Sequence, residues 1–375
     1  MPLSRALRVS ALAGIALAAA CTDTSSLGPG TLVNPTATAA ALASFDSAFG
    51  SATLASFTSL SGFVAPTAPL GVAGRVLTAT APAPLTAGTS PEAALVSRLS
   101  ALRPLASGTL SPQGVLIPDS LYGSIYTWDS LNTRYKRSQT TGGPTDGVRF
   151  ILYAVNPLTG TVSYALTPVG QLDLHDESAG TNAQLHIVVT GNGGAPTYLD
   201  YTTTLTFGLG SLTAQLTGSV TNALQPPANK TLTFNAVATF SVLDITVHAS
   251  YALNNPAFTV TVDVQDVRVA PTDSVFVDVL ISRPREAVKF TGLLVTTSGA
   301  VDTVMASITV NSQLYATVKG NAVGVSFYDH NGAQIQDTAT EHDILVALDE
   351  IRHVAEGVLT FTAALFQPLL NLLGG

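Results

Sequence analysis

The sequence predicts a mainly β protein: one large antiparallel meander, sandwich or incomplete barrel of about a dozen strands. Three observations lead there. Apolar and polar residues alternate with period two over long runs. Leu232, Phe234, Ala236, Ala238 and Phe240 interleave with Thr231, Thr233, Asn235 and Thr239, as in a strand with one buried face. Turn residues separate several such runs, among them Asn192-Gly193-Gly194, Asn254-Asn255-Pro256 and Lys319-Gly320-Asn321. From Leu121 to residue 328 no segment of helical period intervenes, so successive strands pair antiparallel through short connections.

The elements follow in chain order. Arg5 and Arg8 form a basic head, Val9–Ala20 an apolar run with one serine, and Leu17-Ala18-Ala19-Ala20 set small residues before Cys21. That order is a secretory signal over residues 1–20. The run is too short for a membrane span, which takes about 20 apolar residues. Cys21 is the single cysteine of the chain and stands at the cleavage position. Together these residues resemble the lipobox of bacterial lipoproteins, with Ala18 where that family prefers leucine. The resemblance covers the first 21 residues. It implies a diacylglyceryl group on the Cys21 thiol, cleavage before it, acylation of the new terminus, and hence a membrane partner through the anchor. Thr22, rather than an aspartate, follows the cysteine, which in that family's sorting logic implies the outer membrane. A lone cysteine leaves no intrachain disulfide, so the core must hold itself together.

Residues 21–37 are small, polar and broken by Gly and Pro, the composition of a lipidated tether. Residues 38–110 form a helical and Ala/Pro/Thr-rich N-terminal segment. Leu42, Phe45, Phe49, Leu54 and Phe57 recur at helical intervals, residues 64–91 read as an extended connector, and Pro91-Glu92 opens a helix to about Leu102. The antiparallel β domain occupies 115–335, with further runs near 147–155, 183–190, 197–207, 211–221, 242–252, 274–282, 287–297, 301–310 and 322–328. Phe258, Val260, Val262 and Val264 alternate, then Val267 and Val269 take the opposite phase, which predicts a bulge near Gln265-Asp266. Residues 339–375 revert to helix. Ile344, Leu348, Ile351 and Val354 make an apolar stripe, and the uncharged run 357–375 is expected to pack on the sheet.

Composition narrows the function classes. The chain of 375 residues has a formal charge of −8, and loss of Arg5 and Arg8 with the signal takes it to −10. An acidic chain without clustered Lys and Arg is a poor partner for nucleic acid. Only 11% of residues are charged, against about 25% in ordinary soluble domains. Thr, Ser, Gly and Ala supply the polarity instead.

Local chemistry is sparse. Asp176-Glu177-Ser178-Ala179-Gly180 has part of the outline of the hydrolase elbow Gly-x-Ser-x-Gly, but Asp176 replaces the first glycine and no helix follows, which favours a hairpin loop. Glu350 and His353, with His342 nearby, have the spacing of a helical ligand pair; a di-iron site needs a second pair and further glutamates. Asp329-His330-Asn331-Gly332 starts like a calcium loop and lacks its later acidic positions, so a tight turn is expected. His175, His186 and His248 show no metal-ligand spacing, and no phosphate-binding glycine loop is present. No cofactor is predicted. The aromatic and basic stretch Tyr122, Tyr126, Trp128, Arg134 and Tyr135 is the candidate ligand site. Tyr122, Tyr126 and Trp128 share parity, and a turn at Asp129–Asn132 returns Tyr135 alongside. Such a row suits a glycan or aromatic ligand, or else a cross-strand aromatic cluster that stabilises the first hairpin.

These readings favour a membrane-anchored envelope lipoprotein with a non-enzymatic structural or binding role. The alternative is a carrier for a lipid or other apolar small molecule, with the sheet curved around its cargo. An outer-membrane β-barrel and an enzyme with a site assembled from distant loops rank below both.

Overall fold

The computed structural model describes residues 52–60, residues 116–336 except 157–160, 181, 209, 225–228, 242–243, 270, 298–299 and 322–323, and Leu365. Among the described residues a helix, α1 (Ala52–Leu60), and a 3-10 turn at Asp119–Leu121 precede fifteen strands. The strands are β1 (Ser124–Asp129), β2 (Arg134–Thr141), β3 (Gly147–Tyr153), β4 (Pro168–Asp176) and β5 (Asn182–Gly191). Then come β6 (Thr197–Gly208), β7 (Ser211–Thr221), β8 (Thr231–Ser241), β9 (Asp244–Asn254) and β10 (Ala257–Val269). The last five are β11 (Thr272–Arg283), β12 (Glu286–Thr297), β13 (Ala300–Val310), β14 (Gln313–Asn321) and β15 (Gly324–Asp329).

All fifteen belong to one sheet, in the order β15-β14-β13-β12-β11-β10-β9-β8-β7-β6-β5-β4-β3-β1-β2. From β3 onward each strand pairs with the next in sequence, antiparallel. The one exception to antiparallel pairing is β1, inserted parallel to β3 and hairpinned outward to β2. The expectation of a mainly β meander therefore holds. Two refinements are needed: among the described residues there is a single sheet rather than a two-sheet sandwich, and it is open, with β15 and β2 as its end strands. Three more strands are present than the dozen expected. In β4 the inward positions include Gly170 and the partly exposed Asp176 beside Leu172 and Leu174, which dilutes the alternation. In β14 the register slips between Ile308 and Thr309, so Tyr315 turns inward beside Ala316 and breaks period two.

Period-two alternation sorts the side chains onto two unlike faces. Rows running across the strands fill the buried face. One passes through Val148, Leu174, Ile187, Tyr201, Gly218, Phe234, Tyr251, Val260, Ile281, Val288 and Val310, each opposite the next. Its apolar members are buried. Burying each large apolar side chain contributes about 1.5–3 kcal/mol, which lets a chain without disulfides hold a sheet this wide. The opposite face carries Thr202, Thr204, Thr217, Thr233, Asn235 and Ser250, half-buried to exposed. Threonine combines β propensity with a hydroxyl for water, so this face needs few charges to stay solvated. A lipid-facing barrel has its apolar band outward; here the apolar face is the covered one.

Two glycines permit close approach. A Cβ on Gly170 would meet Cγ2 of Thr53 at 2.6 Å, so its absence lets α1 lie directly on β4. The Thr53 hydroxyl then donates to the Val169 carbonyl at 2.9 Å, and Leu54 and Phe57 join the core. At Gly218 a Cβ would overlap the backbone of Asp200 and Tyr201 on β6, within the central apolar row. Beside it the Tyr201 hydroxyl donates to the Leu365 carbonyl at 3.0 Å, and Leu365 is fully buried.

The bulge expected at Gln265-Asp266 is absent. The register of β10 runs unbroken against both β9 and β11 through these residues. Continuity forces Asp266 onto the buried face, where it is 0% exposed, and Arg268, two residues on and on the same face, lies 3.5 Å from it and from Asp273. A guanidinium within reach offsets the cost of an inward carboxylate better than a broken ladder would. The signal, tether and connector segments, the helices expected near 91–102 and 339–356, and Glu350, His353 and His342 lie outside the described residues. Among the described residues no helix is long and apolar enough to cross a membrane.

Candidate functional site

The predicted aromatic stretch does form a hairpin. Asp129 starts the turn: its carboxylate accepts from Leu131 N–H at 3.1 Å and from the Asn132 amide at 3.0 Å. The Asn132 bond, with Lys136 and Leu131 assisting against slight burial, lowers the Asp129 pKa to about 2. The turn sets Trp128 opposite Tyr135. Their rings meet edge-to-face at 5.3 Å, Tyr126 stacks on Phe150 at 4.8 Å, and Tyr135 meets Phe150 edge-on at 5.5 Å. Tyr126, Trp128 and Tyr135 are buried, and the Tyr135 hydroxyl donates to the Ile151 carbonyl at 2.9 Å. Their ring faces are thus turned to one another and to the core, the geometry of a stabilising aromatic cluster. Tyr122 and Arg134 remain partly exposed at its margin. Burial, then the charges of Asp176, Asp119 and Asp146, raises the Tyr122 hydroxyl pKa.

The polar face carries two concentrations of ionisable groups. The first spans β4–β6. His175 and His186 are directly opposite, and their rings stack at 5.4 Å. His175 Nδ1 lies 2.7 Å from Asp146, His186 Nε2 lies 2.8 Å from Asp200, and His186 Nδ1 lies 3.4 Å from Glu177. Beside them Arg149 makes a bidentate pair with Asp173 at 2.6 and 2.7 Å, and that pair raises the Arg149 pKa. Both imidazoles have carboxylate partners. Ser178 lies in a hairpin loop, where its hydroxyl accepts from Gln184 N–H at 3.1 Å, and Asp176 anchors the strap formed by Leu116 and Ile117. The Asp176 carboxylate accepts from Leu116, Ile117 and Ser178 N–H at 2.6, 2.7 and 3.0 Å. Asp329 likewise caps the turn at Asn331-Gly332 through its side chain, as a tight turn requires.

The second concentration lies in a trough of about 460 Å³ that crosses β8–β12 on the polar face. Val237, His248, Asp263, Asp278 and Thr291 form one cross-strand row along it. His248 Nδ1 is 2.6 Å from Asp263, and Lys289 Nζ is 3.2 Å from Asp278 Oδ2. Asp278 Oδ1 has no hydrogen-bond partner. Along β11 the exposed side chains of Phe276 and Leu280 flank Asp278 on the same face. Among the described residues no three His, Cys, Asp or Glu side chains are grouped to hold a metal ion.

Neither concentration was found by spacing along the chain, because the residues in each meet across strands. The signal was nonetheless present. His248 and Asp263 are equidistant from the Asn255-Pro256 turn, and His175 and His186 are equidistant from the loop around Gly180. In a hairpin, equal distance from the turn means direct opposition. Comparison of this chain with protein-family models, curated proteins and solved structures gives no match.

Proposed function

We propose that this chain is a lipid-anchored protein of the bacterial cell envelope, attached to the outer membrane through Cys21, with a non-enzymatic structural or binding role. The observation that carries the reading is the ordered set of basic head, apolar run and small residues ending on the only cysteine. More than one acyl chain makes such an attachment stable, because each buried methylene contributes about 0.8 kcal/mol. A tether then sets the β domain off the bilayer. The two faces of the sheet fit this role. The apolar face is buried, and the threonine-rich face is half-buried to exposed and can meet solvent or a partner. The ionisable groups on that face pair with one another.

The test is mass analysis of the native N-terminus, together with membrane fractionation of wild type and Cys21→Ser. The expected results are a cleaved, acylated Cys21 in wild type and loss of membrane association in the variant. An uncleaved, unacylated terminus in native material overturns the reading. Lipid co-purifying with the Cys21→Ser protein would instead favour the carrier alternative.

A further inference from the structure

The loops that join β1 to β8 divide between two ends of the sheet, and the two ends differ. Pairing directions put the β1–β2, β3–β4, β5–β6 and β7–β8 loops at one end and the β2–β3, β4–β5 and β6–β7 loops at the other. At the first end Leu131 is 95% exposed, Tyr164 100% and Leu224 54%, with Leu166 exposed beside Tyr164. A single exposed leucine needs no explanation, but large apolar side chains on three loops of one end do. Charge follows the same division. Loops 130–133, 154–167, 192–196 and 222–230 contain no carboxylate, and Lys230 is their one charged residue. Arg134, Lys136 and Arg137 stand where β2 leaves its turn; Asp129 across that turn is matched by Lys136 at 3.2 Å, and among the described residues Arg134 and Arg137 form no ion pair. Asp119, Asp146, Asp176 and Glu177 gather at the opposite end. The chain from Cys21 also arrives at the apolar, basic end. Thr53 of α1 bonds to the carbonyl of Val169, the second residue of β4, where the loop carrying Tyr164 and Leu166 closes.

We propose that this end of the sheet docks reversibly on a bilayer that contains anionic phospholipid. Leu131, Tyr164, Leu166 and Leu224 enter the boundary between headgroups and acyl chains, and Arg134, Arg137 and Lys230 face the lipid phosphates. Tyrosine suits that depth because its ring is apolar while its hydroxyl keeps a polar partner. Cations near an anionic surface strengthen the attachment, and the acidic opposite end is turned away from it. The apolar groups are spread from β1 to β7, five strand spacings or about 24 Å, rather than joined in one patch. A fluid lipid surface accommodates such dispersed groups better than a rigid protein face. Residues 22–51 reach about 100 Å at most when extended, so they let the domain leave the bilayer and return by this end. The inference rests on the anchored envelope protein proposed above, which supplies a bilayer within reach.

Two tryptophan variants of the full chain test this in vesicles of brominated phosphatidylcholine, with and without phosphatidylglycerol. Leu131→Trp puts a reporter at the docking end, and Thr145→Trp puts one on the β2–β3 loop at the other; both positions are exposed, so the core is left alone. Trp128, the native tryptophan, is common to both and cancels. With phosphatidylglycerol present, bromine is expected to quench the added fluorescence of Leu131→Trp by at least about twofold and to leave that of Thr145→Trp unchanged. Omission of phosphatidylglycerol, or Arg134→Gln with Arg137→Gln, should reduce that quenching by about half or more. Mass analysis of the same sample reports on the anchor. An unlipidated terminus fails the anchor reading alone, since docking then predicts the same contrast for protein added to the vesicles from solution. The docking proposal is overturned by equal quenching of both reporters, by quenching that ignores phosphatidylglycerol, or by quenching of neither, the result that a protein partner at this end would give.

Discussion

Raising the pH should unfold this protein cooperatively, and buried tyrosines set the midpoint. Tyr135, Tyr201 and Tyr315 are 2%, 1% and 3% exposed, and burial raises the pKa of each hydroxyl above the ordinary 10.0. For Tyr201 burial is the sole cause, and its hydroxyl also donates to Leu365. Below pH 10 both states keep these protons and stability is unaffected. Above it the unfolded chain releases protons that the folded chain retains, so stability falls as pH rises until the folded hydroxyls themselves ionise. Each such group removes about 1.4 kcal/mol per pH unit in that window, and three together about 4 kcal/mol. A domain at the lower end of ordinary stability, about 5–8 kcal/mol, is then lost within about two pH units above 10. The assay follows tyrosinate absorbance and far-ultraviolet circular dichroism together on stepwise alkaline titration. The part of the tyrosinate signal from buried rings should appear in one step with loss of strand signal, and Tyr201→Phe should reduce the pH dependence. The reasoning fails if all ten tyrosines ionise along one smooth curve near pH 10 while the sheet stays intact.

Two further perturbations test the packing. Gly218→Ala places a methyl against the β6 backbone and should cost about 3 kcal/mol, read as a drop in denaturation midpoint without a change in slope. Asp176→Ala removes the acceptor of three backbone N–H groups and should cost about 2–3 kcal/mol, with faster hydrogen exchange at Leu116 and Ile117. Unchanged exchange at those two amides would show that the strap is held by something else.

Much of the sheet was legible because alternation is a one-dimensional signal. Phe234, Ala236 and Phe240 face inward in the structure as their spacing requires, and the Asp129–Asn132 turn closes the hairpin it was expected to close. Asp266 was misread for a related reason. Alternation assumes that inward positions are apolar, and here a carboxylate with a guanidinium beside it occupies one. The parallel insertion of β1 between β2 and β3 left no trace in the sequence, since backbone pairing direction does not depend on side-chain pattern.

The sequence by itself determined the strand periodicity and the two unlike faces of the sheet. Only the tertiary structure decided that fifteen strands form one open sheet, that the aromatic hairpin is buried, and that Asp263 meets Asp278 while His175 meets His186. The physical reason is register. Which face a side chain takes is set by its neighbours along the strand, but which residue it opposes is set by the turns on either side, and opposition gathers the ionisable groups.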